Sequence, residues 1–334
     1  MDLLAAIEKA VASLPKKETP KPKVEPTKPV EEKETNPPVI KTGIDWAAFD
    51  QQVDLGDKAY TADNFKKAQT HYEKALAINP RDRYAKQKLA ACKKLLAKPK
   101  NPATLTEAGI EFILVEGDTF NMGYDPKRDG EDKYMDSSKP LHKVTLDSFY
   151  IGKYPVTQAQ WQQVMGNNPS NFKGDANCPV EQVSWNDAQD FLKKLCDQTG
   201  QTYRLPTEAE WEFAARGGNK SKGYRYAGSN NLDEVAWYRE NSDSKTHPVG
   251  QKAPNELGIY DMSGNVWEWC HDWFDEGYYS SSPQNNPKGP NSGKSRVVRG
   301  GSWDFFNDDS RVAFRISSIP YGRYNDQGFR ITRA

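Results

Sequence analysis

An α+β domain preceded by a small all-α module and a linker is the fold this 334-residue sequence predicts, on three observations. Before residue 110 the chain alternates helix-like stretches with Pro, Lys and Glu runs; beyond it the composition turns to Trp, Tyr, Gly and Asn with short apolar runs. Three capped helical segments lie between residues 157 and 217, flanked by strand-like runs. Hydrophobic residues make up 36% of the chain, and nine Trp with sixteen Tyr are enough to fill one sizeable core.

Charge and cysteine content narrow the function classes. Lys plus Arg and Asp plus Glu each total 46, so no net field steers the chain toward nucleic acid or an anionic membrane, and neither is an expected partner. The cysteines at 92, 178, 196 and 270 have none of the close paired spacings of a zinc site or a redox dithiol. A cytoplasmic, reducing setting is the default expectation, with surface display by another export route as the alternative; Cys178 and Cys196 could bridge in an oxidising compartment.

Along the chain, residues 1–14 place Leu3, Leu4, Ile7, Val11 and Leu14 at helical spacing and predict a short amphipathic helix. With Glu8 and Lys9 inside it and no basic start, this stretch reads as neither signal peptide nor membrane span. Residues 15–43 hold little but Pro, Lys and Glu and cannot offset their ordering entropy, so a disordered linker is expected. Residues 44–97 form the helical module: Asp45 caps its first helix, with Ile44 and Phe49 as a hydrophobic staple. Gly56, Phe65, Ala68, Tyr72, Ala75 and Pro80 then fall where a tetratricopeptide repeat puts its small and large residues, and residues 83–97 add a third helix. One repeat is either a helical spacer or a protein-docking module. Residues 98–109 read as a second linker, and the main domain spans 110–334.

Within that domain EFILVEGDTFNMG predicts strand, turn and strand, and HKVTLDSFYIGKYPV a further pair. Thr157 with Gln160 makes a capping box closed by Gly166; Ser184 or Asn186 opens a helix ending at Gly200; Thr207 with Glu210 opens a third, closed by Gly217. Beyond residue 218 short strands and long loops are expected.

The stretches FNMG, YPVTQAQW, PVEQVSWNDAQDF, YRLPTEAEWEFAARGG, NELGIYDMSGNVWEWCHDW, RVVRGGSW and GFRITR follow one another in an order that resembles the formylglycine-generating enzyme, or sulfatase-modifying factor, family. The resemblance runs from about Phe112 to Arg333 and implies a C-type-lectin-like fold with short twisted antiparallel sheets, a few helices and much loop. Enzymes of that family oxidise a substrate cysteine with copper held by two cysteines, whose positions match Phe305 and Ser310 here. Neither side chain offers a soft thiolate, so no copper is expected. A related iron-dependent branch uses a histidine cluster, whereas His71, His142, His247 and His271 are scattered in this chain. No catalytic residue is assigned, and Ser302 and the Gly300–Gly301 pair lack the contexts of a nucleophile elbow and a phosphate loop.

The resemblance also implies a structural calcium ion held by Asp261, the carbonyls of Gly264 and Val266, and Glu268, an all-oxygen set suited to a hard cation. The alternative is a tight turn in which Glu268 pairs with an arginine. Near the C-terminus, Arg299 to Trp303, Arg311, Arg315, Arg323 and Gly328 to Arg330 match the family frame, and between them this chain departs from it. Asp304, Phe305, Phe306, Asn307, Asp308, Phe314, Ile316, Ser317, Ile319, Tyr321, Tyr324 and Asn325 then form a candidate ligand-binding surface, aromatic anchors among short polar groups. The alternative for its apolar members is core packing, with Val312 and Phe314 the first to be buried by their period-2 spacing.

The same frame is used by variable proteins of diversity-generating retroelements, in which adenines of Asn codons are randomised. Such replacement cannot yield Lys, Glu, Gln, Met or Trp, and residues 304–326 contain none of these. The expected function is therefore a non-catalytic binder of a protein or surface ligand through 304–326. An oxidoreductase with an atypical site, or an adaptor acting through the helical repeat, are the alternatives.

Overall fold

The computed structural model describes residues 44–62, 64–96, 103–131 and 134–333. The expected helix at 1–14 and linker at 15–43 lie outside the described residues. The chain divides into two compact units at residue 100, and each is described by itself.

Among its described residues the first unit holds three helices: α1 (Trp46–Thr61), α2 (Phe65–Ile78) and α3 (Arg83–Leu96). Asp45 caps α1 by accepting from the Ala48 amide, and Asn64 caps α2 through Lys67. Ile44 is 40% exposed, and Phe49 instead meets Trp46 edge to face at 5.9 Å, so the ring supplies the contact foreseen for Ile44. Gly56 is required by close approach: a Cβ there would fall 2.6 Å from the Tyr72 ring, which is itself fully buried.

The described residues of the second unit form three sheets. The largest has the strand order β1 (Thr104–Glu107), β2 (Ile110–Val115), β5 (Phe149–Gly152), β11 (Thr332–Arg333), β6 (Tyr203–Arg204), every pair antiparallel. Strand β1 lies inside the 98–109 stretch expected as a linker and pairs Leu105 with Phe112. Four residues with one large apolar side chain are too short a pattern to read as a strand without that partner. A second sheet runs β10 (Gln327–Gly328), β7 (Trp267–Trp273), β8 (Arg296–Arg299), β9 (Arg315–Ser318), with β10 parallel to β7 and the rest antiparallel. β3 (Thr119–Met122) and β4 (His142–Thr145) form the third.

Three principal helices form where their caps place them. α4 (Gln158–Met165) and α6 (Glu208–Ala215) open on the expected capping boxes. α5 (Trp185–Thr199) opens on Ser184, whose box partner is Asp187. α5 buries Phe191, Leu192 and Leu195 beside Trp161 and Phe329.

α6 is buried along its whole length, Glu208 and Glu212 included. Glu212 faces Arg216, at 2.6 Å, and Arg299; Glu208 takes two bonds from Arg315, at 2.6 and 2.7 Å. These ion pairs tie α6 to β8, which precedes the candidate surface, and to β9, which lies within it. All four cysteines are free thiols, so the Cys178–Cys196 bridge considered for an oxidising setting is absent.

Candidate functional site

The candidate surface grows out of a fixed base. After β8, Gly300 and Gly301 adopt φ of +101° and +77°; a Cβ on Gly301 would sit 2.5 Å from Ser310 Oγ, so only glycine fits. Trp303 follows, 8% exposed, its amide donating to Asn265 O at 3.0 Å and its indole N–H to Asn325 O at 3.1 Å. Ser302 donates to Asp326 at 3.3 Å. The two ends of the 304–326 segment are thereby held to each other and to the 261–268 turn.

Between those anchors the side chains sort by exposure. Phe306 is 55% exposed, Tyr321 66%, Tyr324 44% and Ile319 37%, and Asp304, Asn307, Asp308 and Ser317 are exposed beside them. Phe305, Phe314, Ile316 and Asn325 are half-buried. Phe305 meets Trp267 edge to face at 5.2 Å, and Phe314 lies 6.2 Å from the same ring. Val312 is fully buried, as its spacing implied. The expected ligand set therefore splits into eight exposed positions and four that also pack inward, because Trp267 draws the apolar ones toward the core.

Polar contacts fix the loops without covering them. Arg239 pairs with Asp304 at 3.0 Å, and its guanidinium lies 4.5 Å from the Phe306 ring centre. Its amide also donates to Phe305 O at 3.1 Å. Arg323 makes a two-bond pair with Asp187, both at 2.7 Å, and Gln182 N donates to Tyr324 O at 2.8 Å, which docks the 319–326 loop on the start of α5. Arg311 contacts Asp308. From beneath, the fully buried Arg299 donates to Ala313 O at 3.1 Å and Phe314 O at 2.6 Å.

Sequence reasoning missed Arg239, whose place beside Phe306 depends on a loop some 65 residues upstream that carries no motif. It also missed the Glu208–Arg315 and Glu212–Arg299 pairs. Their signal was present: Thr207 and Glu210 use each other as a cap, and two further acids remain at i, i+4 on a helix opposed by arginine-bearing strands.

The chemistry this site can do is limited by what lines it. Phe305 is half-buried, and Ser310 is fully buried and accepts through its carbonyl from Ser263 at 2.8 Å. Cys270 is also fully buried, and burial, with the charges of Glu208 and Asp272, pushes its thiol well above the ordinary range. His247 stacks on Trp237 at 3.8 Å and bonds Ser242 O at 2.7 Å, a structural role.

Of the groups implied for calcium, the Glu268 and Asp261 carboxylates already have protein partners. Glu268 receives two bonds from Arg330, both at 2.6 Å, and one from the Trp211 indole at 2.6 Å, with both ions fully buried. Asp261 Oδ2 accepts from Gly250 N at 2.8 Å, and burial pushes its carboxyl up to about 6. Gly264, at φ +78°, donates to Gly300 O at 2.8 Å, and Val266 is buried in the same turn. Arg330 supplies a positive charge to Glu268, the arginine pairing expected as the alternative to the ion. Among the described residues no group of three or more His, Cys, Asp or Glu side chains is placed to hold a metal.

Comparison with known proteins places this geometry in a family. The sulfatase-modifying factor enzyme 1-like domain matches residues 98–334. The chain is 36% identical over 279 residues to the chaperone protein LppX of Paenibacillus barcinonensis, covering 69% of this chain and 91% of that protein. It is 40% identical over 192 residues to the formylglycine-generating enzyme of Streptomyces coelicolor, covering 52% of this chain and 58% of that enzyme. Among solved structures it is similar to Treponema denticola variable protein 1, with a TM-score of 0.60 and 35% identity over 69% of this chain and 98% of that one. A buried frame that ends in GGSW and GFR, an arginine-locked turn before it and a match from residue 98 to the C-terminus say the same thing: the chain belongs to the sulfatase-modifying factor enzyme 1-like domain family.

Proposed function

We propose that this protein is a non-catalytic binder that recognises a protein or surface ligand through residues 304–326. One observation carries the reading: a fully buried frame, Arg299 and Arg330 on either side with Arg315 inside, holds a run of exposed aromatic and short polar side chains. Large rings with few rotatable bonds lose little entropy on contact, and the small polar groups among them adapt to a partner. The likeness to a protein named as a variable protein and to one named as a chaperone supports a role in contact rather than turnover. The cysteine positions of the oxidase branch being Phe305 and Ser310 supports it further.

The segment's lack of Lys, Glu, Gln, Met and Trp favours diversification of residues 304–326 by adenine replacement. The helical module is a second protein contact in this reading, tethering the binder to another component.

A photo-crosslinking amino acid placed at Tyr321 in the full chain, in the producing cell, tests the reading. A discrete crosslinked partner is expected, lost on Tyr324→Ala and retained when residues 44–97 are deleted. Copper-dependent oxidation of a cysteine peptide, or crosslinks only from the helical module, would overturn it.

A further inference from the structure

A concave site elsewhere in the second unit shares no residue with 304–326. A cavity of about 500 Å³ opens beside β5, between the start of α6, the 286–288 loop and the exposed His271 of β7. That volume is within the usual range for a small-molecule site, roughly 300–1,000 Å³. Leu114, Leu146, Phe149 and Pro287 give it an apolar wall.

Most of the charges at its rim are already committed. Glu210 takes both Arg204 bonds, each at 2.6 Å, and the Thr207 amide at 2.8 Å. Arg333 is held by Glu107 at 2.8 Å and Gln201 at 3.0 Å. Asp147 accepts from Asn286 at 2.9 Å and so steadies the loop that carries Lys288. The Lys288 ammonium and the His271 ring remain, neither with a hydrogen bond or ion pair among the described residues.

Arg296, clamped between Trp185 at 3.7 Å and Trp273 at 3.5 Å, donates to His271 O at 2.6 Å and has no carboxylate partner among the described residues. Desolvation by the surrounding walls, then the positive charges of Arg296, Arg204 and Lys288, hold the His271 ring below its ordinary value, with Glu210 acting the other way. The field at this end of the cavity is therefore positive.

We infer that this cavity binds a small organic anion, a carboxylate or phosphate group on an apolar body, the anion shared by Lys288 and His271 and the body lying against Leu146 and Phe149. An anion seated there reverses the field at the ring.

Titrating the full chain with benzoate and with phenyl phosphate, each against benzyl alcohol as the neutral control, tests this by NMR of the His271 ring. Four histidines in the chain, with His271→Gln for assignment, keep the resonance traceable. Either anion is expected to saturate and to raise the His271 midpoint by about half a pH unit or more, the effective one naming the headgroup. Lys288→Ala, an exposed position that leaves the fold intact, weakens that anion by about three- to tenfold. Failure of both anions to saturate, an equal response to benzyl alcohol, or unchanged affinity in Lys288→Ala would overturn the inference.

Discussion

Replacing Glu212 by Gln removes the one carboxylate that faces both Arg216 and the fully buried Arg299, and so tests whether the candidate surface depends on charges beneath it. Burial alone would raise the Glu212 carboxyl; the guanidiniums of Arg216 and Arg299, helped by the Gly123 amide, override it and hold the group at about 2 against an ordinary 4.5. That depression corresponds to roughly 3 kcal/mol at neutral pH.

Its sign follows from the depressed value: the stabilisation is present above pH 4.5 and is lost as the pH falls toward 2. Glu212→Gln also strands buried Arg216 and leaves Arg299 with Glu208, 3.6 Å away, as its remaining ion-pair partner, a loss of about 3–5 kcal/mol. For a domain of this size that lowers the Tm by roughly 6–20 °C. Urea unfolding and thermal scans of the full chain at pH 7 measure it, and repeating them at pH 3 shows the gap between wild type and variant narrowing. Because Arg299 carries the Ala313 and Phe314 carbonyls, partner binding through 304–326 weakens in parallel. A variant within about 1 kcal/mol of wild type at pH 7 would refute the reasoning.

Three further outcomes are expected. Tyr321→Ala leaves stability within about 0.5 kcal/mol, its ring being 66% exposed, while Phe305→Ala costs about 2–3 kcal/mol through the lost contact with Trp267; denaturation of the two variants side by side checks both. Glu181 is fully buried with Oε2 unpartnered, and burial, then the charge of Asp326, raises its carboxyl against the opposing amides of Asn171 and Phe172. Its ionisation therefore costs stability increasingly as the pH rises above 4.5, and Glu181→Gln gains about 1–2 kcal/mol on wild type by pH 8, read from melting curves across that range. Excess EDTA shifts the Tm by no more than about 1 °C, whereas Glu268→Gln, which uncovers Arg330, lowers stability by about 3–5 kcal/mol.

What the sequence made legible was local chemistry repeated at known spacing. Thr157, Ser184 and Thr207 announce helices because a hydroxyl three residues before an acceptor closes a cap within one turn of chain. Val312 is buried where its alternation placed it. Strand β1 was illegible because its stability comes from pairing with β2 rather than from any pattern of its own. Arg239 and Arg323 were illegible for the same reason at longer range: their partners, Asp304 and Asp187, are 65 and 136 residues away. At the implied calcium turn the ligand types were all legible, whereas the partner that Glu268 takes, Arg330, lies 62 residues downstream.

The place of β11 gives the exposed segment a built-in proofreader. This last strand lies between β5 and β6 and closes the largest sheet, yet it is made only after residues 304–326 have been translated. A stop codon or a shifted frame anywhere in that segment deletes the strand and leaves Ile151 and Arg204 without their partner Thr332. The fold thus constrains the reading frame of the segment together with its buried members, Val312, Ala313 and Arg315, and leaves only the exposed positions unconstrained by packing.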